Sequence, residues 1–158
     1  MAGGRRFEPL PVARELGSAE GLRLDLVRTC GDDDSPWGVP AYIFTIVFDW
    51  QPVGRLSLRV GATPTILLHA GHLGFTVEEP HRGRGFAGSA ARLVLPLAKA
   101  HDLDPLWITC TPDNRASIRT IESLGATYVE TVPIPAGYDS YARGERQKRR
   151  YRLDLELP

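Results

Sequence analysis

The stretch that most constrains this 158-residue chain is residues 71–88, GHLGFTVEEPHRGRGFAG. An apolar, strand-like run ends in Glu78-Glu79-Pro80, a short loop carries Gly83 and Gly85, and an Ala- and Leu-rich helical pattern follows at once. Strand, glycine turn and helix in that order build a cradle for phosphate. Glycines permit the positive φ that turns successive N–H groups inward, and a fresh helix adds unpaired donors and the positive end of its dipole. Arg82 and Arg84 bring charge to the same point. The stretch is expected to hold a pyrophosphate-bearing ligand.

The spacing narrows the ligand. The loop lacks the closing Lys-Ser/Thr of the nucleoside triphosphatases, and no ribose-binding carboxylate stands about 20 residues beyond Gly88. What remains is Arg82-Gly83-Arg84-Gly85-Phe86-Ala87, an Arg-x-x-Gly-x-Ala pattern. A second pattern lies downstream. Residues 105–110 (PLWITC) read as a short buried strand, and Asn114, Ser117 and Gly125 frame a helical stretch over 115–124. In order and separation these two motifs resemble the GNAT-type acyl-CoA N-acyltransferases, and the resemblance covers residues 54–151.

The resemblance implies an α+β fold of three α/β/α layers, with a mostly antiparallel sheet split at a parallel central strand pair. It implies acetyl-CoA as co-substrate and transfer of the acetyl group to a primary amine, on a small molecule or a peptide, by direct attack in a ternary complex. The pantetheine arm would follow the main chain of Phe75, Thr76 and Val77. Arg82, Gly83, Arg84, Gly85, Phe86, Ala87 and Gly88 would hold the pyrophosphate, and Asn114 and Ser117 would contact the arm. The chain departs from the family upstream. Relatives place one or two helices between their first two strands, whereas only about a dozen loop residues are available here, too few for that pair. The acceptor site is then more open, or closed by loop 31–40 and segment 133–149.

Catalytic groups are less plainly written. Many relatives carry a Tyr four residues before the second-helix glycine, and that place is Ile121 here. The thiolate then takes its proton from Ser117, from Tyr138 or Tyr141 in the late segment, or from no side chain, which a free thiol pKa of about 8.5 tolerates. His72 is the candidate base, with an ordinary pKa of about 6.5 suited to neutral pH, against the alternative of a core histidine bonded to backbone. Glu78, Glu79 and Glu122 are lesser candidates. Ile121 also leaves open a non-catalytic acyl-CoA sensor of the same fold.

Composition sets the remaining bounds. The length suits one domain over residues 1–158. Nineteen basic residues balance nineteen acidic ones, so no global field draws the chain to nucleic acid or anionic membrane. The N-terminal stretch lacks the apolar core of a signal peptide, and no apolar run approaches the roughly 20 residues of a membrane span. Cys30 and Cys110 are expected as free thiols in a cytoplasmic protein, and no spacing of His and Cys suggests a metal. A homodimer stays open. The basic run RGERQKRR, residues 143–150, reads as a solvated flank or as a clamp for acidic ligand groups. Strands are expected from Leu22, over 42–48, 54–60, 69–77, 105–110, 127–132 and 150–155, with helices at 85–100 and 115–124. Residues 1–20 are expected as an irregular or partly helical lead-in.

Overall fold

A computed structural model describes residues 7–9, 15–17 and 20–155. Eight strands form one mixed sheet in the order β1-β2-β3-β4-β5-β6-β8-β7. β1 is Glu15–Gly17, β2 Leu22–Cys30, β3 Ala41–Phe48 and β4 Gln51–Arg59. β5 is Leu73–Val77, β6 Leu106–Cys110, β7 Thr127–Pro133 and β8 Gln147–Leu153. All neighbours run antiparallel except β5 and β6, which the helix α1 (Phe86–Ala100) connects. α2 (Arg115–Ser123) and the one-turn α3 (Asp139–Ala142) complete the regular elements.

Alternation along the strands decides which face is core. Leu56 and Leu58 of β4 and Tyr42, Phe44 and Ile46 of β3 are buried, and they join Leu24, Leu73, Ile108 and Tyr151 in one apolar cluster. α1 lays Ala90, Ala91, Val94, Leu97 and Ala98 on this face, and Ile121 of α2 enters the same cluster. The second helical layer is thin. It consists of a π-helical turn, Ile66–Ala70, and α3, so the sheet face carrying Ile43, Arg55, Ser57 and Arg59 is largely open.

Several boundaries differ from expectation, each for a local reason. The stretch 69–77 is not one strand: Gly71, at φ 74°, closes the π-turn by donating to the Ile66 carbonyl (2.7 Å), and β5 starts at Leu73. The β3–β4 hairpin turns on Asp49 and Trp50 alone, both at positive φ (49° and 66°), so β4 begins at Gln51 and not at Gly54. The last strand lies earlier than expected, because β8 pairs over its length with β7 and β6. α1 continues through Pro96, and Gly125, at φ 88°, follows α2. Of the lead-in 1–20, residues 15–17 form β1 and most of the rest lies outside the described residues. Segment 133–149 supplies α3 and the start of β8.

Candidate active site

The sheet opens between β5 and β6. These strands share a single register pair, Leu73 with Ile108, whereas β5 stays paired with β4 from Leu73 to Val77. Gly54 permits that close pairing, since a Cβ there would run into the Thr76 carbonyl. On its other side β5 beyond Leu73 has no strand partner among the described residues. A backbone edge in that state accepts an extended ligand arm as a further strand would be accepted. His72 pins the closed end. Its N–H donates to the Trp107 carbonyl (2.7 Å), and its Nδ1 accepts the Trp107 N–H (2.9 Å).

That geometry fixes the histidine's chemistry. With Nδ1 accepting, the proton sits on Nε2, which donates to the Gly61 carbonyl (2.9 Å). The ring is 3% exposed, and burial pushes its pKa below the ordinary value, assisted by the nearby Arg59 charge. His72 faces a smaller cavity with Val60, Gly61, His101 and Trp107, away from the split. As a candidate base it is therefore misplaced: both nitrogens are spent and no lone pair reaches an amine.

β5 leads into a 3₁₀ turn, Glu79–His81, and then the glycine loop. Arg82 Nε returns to the Val77 carbonyl (2.9 Å), tying the loop to the strand end. Gly83 and Gly85 hold φ 81° and 77°, and a Cβ at either would meet nothing within 4 Å, so the backbone there is open to approach. Gly85 is the N-cap of α1 and no side chain caps the helix, leaving its first-turn N–H groups free of side-chain acceptors. Phe86 turns into the core against Phe48, with centroids 4.7 Å apart, and Arg84 stacks over both rings. Gly88 faces α2, where Ser123 would lie 3.5 Å from its Cβ; it serves helix contact more than the loop.

A cleft of about 610 Å³ lies beside the split, lined by Gly74, Phe75 and Thr76 of β5, Thr109 and Cys110 of β6, and Asn114 and Ser117. Asn114 Oδ1 caps α2 by accepting the Ser117 N–H (3.1 Å), which leaves the Asn114 amide to donate. Burial pushes the Cys110 thiol up, so it stays protonated. Tyr138 is elsewhere: its hydroxyl meets Thr65 (3.1 Å) and its ring packs on His69, so it does not line the cleft as a proton donor would. Ile121 is fully buried in the core. Pro36 and Trp37 of loop 31–40 and Arg143, Glu145 and Lys148 of the late segment border the cleft, as the short upstream loop suggested.

The basic run at 143–150 divides between faces. Glu145 pairs with Arg143 (3.3 Å) and Lys148 (3.7 Å). Arg150 leaves the cleft to pair with Glu130 (2.6 Å) over Trp107, and Arg146 and Arg149 stack on tyrosines. Sequence reading passed over three further cations lining the cleft, Arg28, Arg55 and Arg59. The signal was present as Arg55-x-Ser57-x-Arg59 alternating with Leu56 and Leu58. Burial lowers the Arg59 pKa to about 10, which leaves it charged at neutral pH.

The acetyltransferase (GNAT) domain family matches residues 26–127, well over half the chain. The chain belongs to the GNAT family. No curated protein sequence matches this GNAT chain. Among solved structures it is similar to RimL, a ribosomal L7/L12 α-N-protein acetyltransferase, with TM-score 0.64, 15% identity, and 91% of this chain and 99% of that one covered. It is also similar to the ribosomal-protein-S5-alanine acetyltransferase of Vibrio fischeri, with TM-score 0.58 and 20% identity, covering 75% of this chain and 64% of that enzyme's length. The microcin C7 self-immunity acetyltransferase MccE, solved in complex with acetyl-CoA and AMP, aligns with TM-score 0.55 and 17% identity over 72% of this chain and 61% of that one. At these identities the likeness is one of fold. No helix of the described residues is long and apolar enough to cross a membrane.

Proposed function

We propose that this GNAT domain binds acetyl-CoA across the β5–β6 split and transfers its acetyl group to a primary amine in a ternary complex. The split carries the reading: one register pair, an unpaired strand edge, and an open glycine loop running into an uncapped helix. The pyrophosphate would sit over Arg82–Ala87, held by first-turn N–H groups and the helix dipole. The pantetheine arm would lie along Phe75, Thr76 and Val77, with the Asn114 amide donating to it.

In the reaction the neutral amine nitrogen attacks the thioester carbon. Main-chain N–H groups of β5 hold the developing oxyanion, the C–S bond breaks, and the thiolate takes a proton as the amine loses one. Ser117, which lines the cleft beside Asn114, would relay a proton from solvent to the thiolate through its hydroxyl. His72 and Tyr138 stand outside this scheme. Glu145 is held by Arg143 and Lys148 and is not free to act as a base, and the amine's proton goes to solvent.

Calorimetric titration with acetyl-CoA, followed by free-thiol release over an amine and peptide panel, tests the proposal. Saturable binding with acceptor-dependent thiol release is expected; no saturable heat at millimolar acetyl-CoA sinks it. Ile121, buried where relatives carry a hydroxyl, favours one rival, a sensor that binds acetyl-CoA without turnover. Tight binding with no thiol release from any acceptor would decide for that rival.

A further inference from the structure

Resting on the acetyltransferase reading, we propose that the acceptor is a small amine bearing an anionic group, a carboxylate or a phosphate, held by Arg28, Arg55 and Arg59 on the open face of the sheet. The chain as a whole carries no formal net charge, yet this cleft gathers four arginines and a lysine against one carboxylate. That carboxylate, Glu145, is spent on Arg143 and Lys148. Arg28, Arg55 and Arg59 form no ion pair among the described residues, while Arg23, Arg150 and Arg152 each have one.

Two features of the backbone serve these arginines. The first is a β-bulge in β2. Leu24 and Leu26 pair with Ile46 and Phe44 on the core face, but the register slips between Leu26 and Arg28, and Arg28 pairs with Ile43. Without the slip Arg28 would face Tyr42 and the core. The extra residue, Val27, is 59% exposed, and its effect is to bring Arg28 into the row Ile43–Ser57–Gly74 that floors the cleft. Bulges beside sites act in this way, by re-aiming a side chain.

The second feature is Gly74. Arg59 lies across it, and a Cβ at Gly74 would collide with Nη2. Trp37 covers the guanidinium from above at 4.4 Å, and Nη1 is fixed by the carbonyls of Ala70 (2.7 Å) and Gly71 (3.2 Å). Nη2 makes no hydrogen bond among the described residues, and Nε is buried without an acceptor. A guanidinium held rigid with unspent donors suits a planar oxyanion, because little side-chain freedom is lost on binding. Arg55 and Arg59 stand on one face of β4, about 13 Å apart along the strand. Gly74, Phe75 and Thr76 border the same volume, so an anion tied to the arginines leaves its amine to reach the β5 edge. The 610 Å³ cleft is of small-molecule scale, and the acceptor shares it with the end of the acetyl-CoA arm.

Trp37 gives a readout that needs no acetyl transfer. Succinate and inorganic phosphate, titrated without acetyl-CoA at constant ionic strength, should change tryptophan fluorescence saturably. The change should vanish in Trp37→Phe, and apparent affinity should fall roughly 10- to 100-fold in Arg28→Gln and Arg55→Gln, whose exposed side chains leave folding intact. With acetyl-CoA present, aspartate is compared with asparagine amide and O-phosphoethanolamine with ethanolamine. The anionic member should lead by at least tenfold in kcat/KM, and the ratio should fall toward one in Arg28→Gln/Arg55→Gln through KM. Which anion leads separates carboxylate from phosphate. Neutral amines that match their anionic partners in the wild type, or fluorescence indifferent to both anions, would overturn the proposal. Failure of acetyl-CoA binding alone overturns the transferase reading and leaves the fluorescence arm standing.

Discussion

His72 shows how far a residue's neighbours in space outrun its neighbours in sequence. Its place just before the phosphate loop suggested a base, yet its ring is bonded to Gly61 and Trp107, 11 and 35 residues away. His72→Gln should lower the Tm by roughly 4–8 °C, since buried backbone groups left unpaired cost about 1–3 kcal/mol. The acid limb of kcat/KM should stay where the acceptor amine's own ionisation puts it; a limb that moved in the mutant would restore the histidine to the chemistry. Gly85→Val makes the opposite cut. Its positive φ and the open space over it mean that a branched side chain both strains the loop and stands where a pyrophosphate would approach. Calorimetry should show acetyl-CoA binding lost while circular dichroism stays native. The Gly85 turn was legible in sequence because a positive-φ entry into a helix leaves a local trace, glycine at fixed spacing. Arg59 was not, since its meaning depends on Trp37, Gly74 and two carbonyls brought together by the sheet.

At the scale of elements, the strand–loop–helix core of the fold was readable, and the errors fell where tertiary pairing overrides local pattern. Segment 69–77 is apolar enough for one strand, but a π-turn takes His69 and Ala70, steadied where Arg59 binds the Ala70 and Gly71 carbonyls. The β3–β4 turn misled for another reason. Two positive φ values select Asn-Gly or Asp-Gly, and the chain offers Asp49-Trp50. Trp50 is 80% exposed, with Arg23 stacked over it at 4.8 Å. Trp50→Gly relieves about 1–2 kcal/mol of backbone strain against a cation–π contact of about 0.5–1 kcal/mol. A small net gain is expected, a Tm rise of roughly 1–3 °C by calorimetry. A fall would mean that the ring anchors the hairpin more firmly than its exposure indicates.

For the whole molecule, the balance of charge was plain from composition, but the placing of charge was not. Acid should reveal buried His72 and half-buried His101. Burial holds both His72 and His101 below their ordinary pKa of 6.5. The unfolded chain therefore binds more protons between each folded value and 6.5, so stability is complete above about pH 6.5 and falls as pH drops below it. His72 sets a slope of up to about 1.4 kcal/mol per pH unit, and His101, more open to solvent, adds less. Thermal melts from pH 8 to 5 should show this decline, and His72→Gln should flatten it; a wild-type Tm unchanged across that range would contradict the buried, neutral ring.

The slip at Val27 means that β2 stores information in its length as well as in its letters. Paired at its present length without the slip, the strand would turn Arg28 toward Tyr42 under α1, and the same amino acids would describe a protein with a charge in its interior and a less basic cleft. Loss of Val27 alone would instead remove the slip and leave Arg28 opposite Ile43, because Leu26 and Arg28 would become consecutive partners of Phe44 and Ile43. Substitution scans, which leave the residue count untouched, are blind to this kind of determinant.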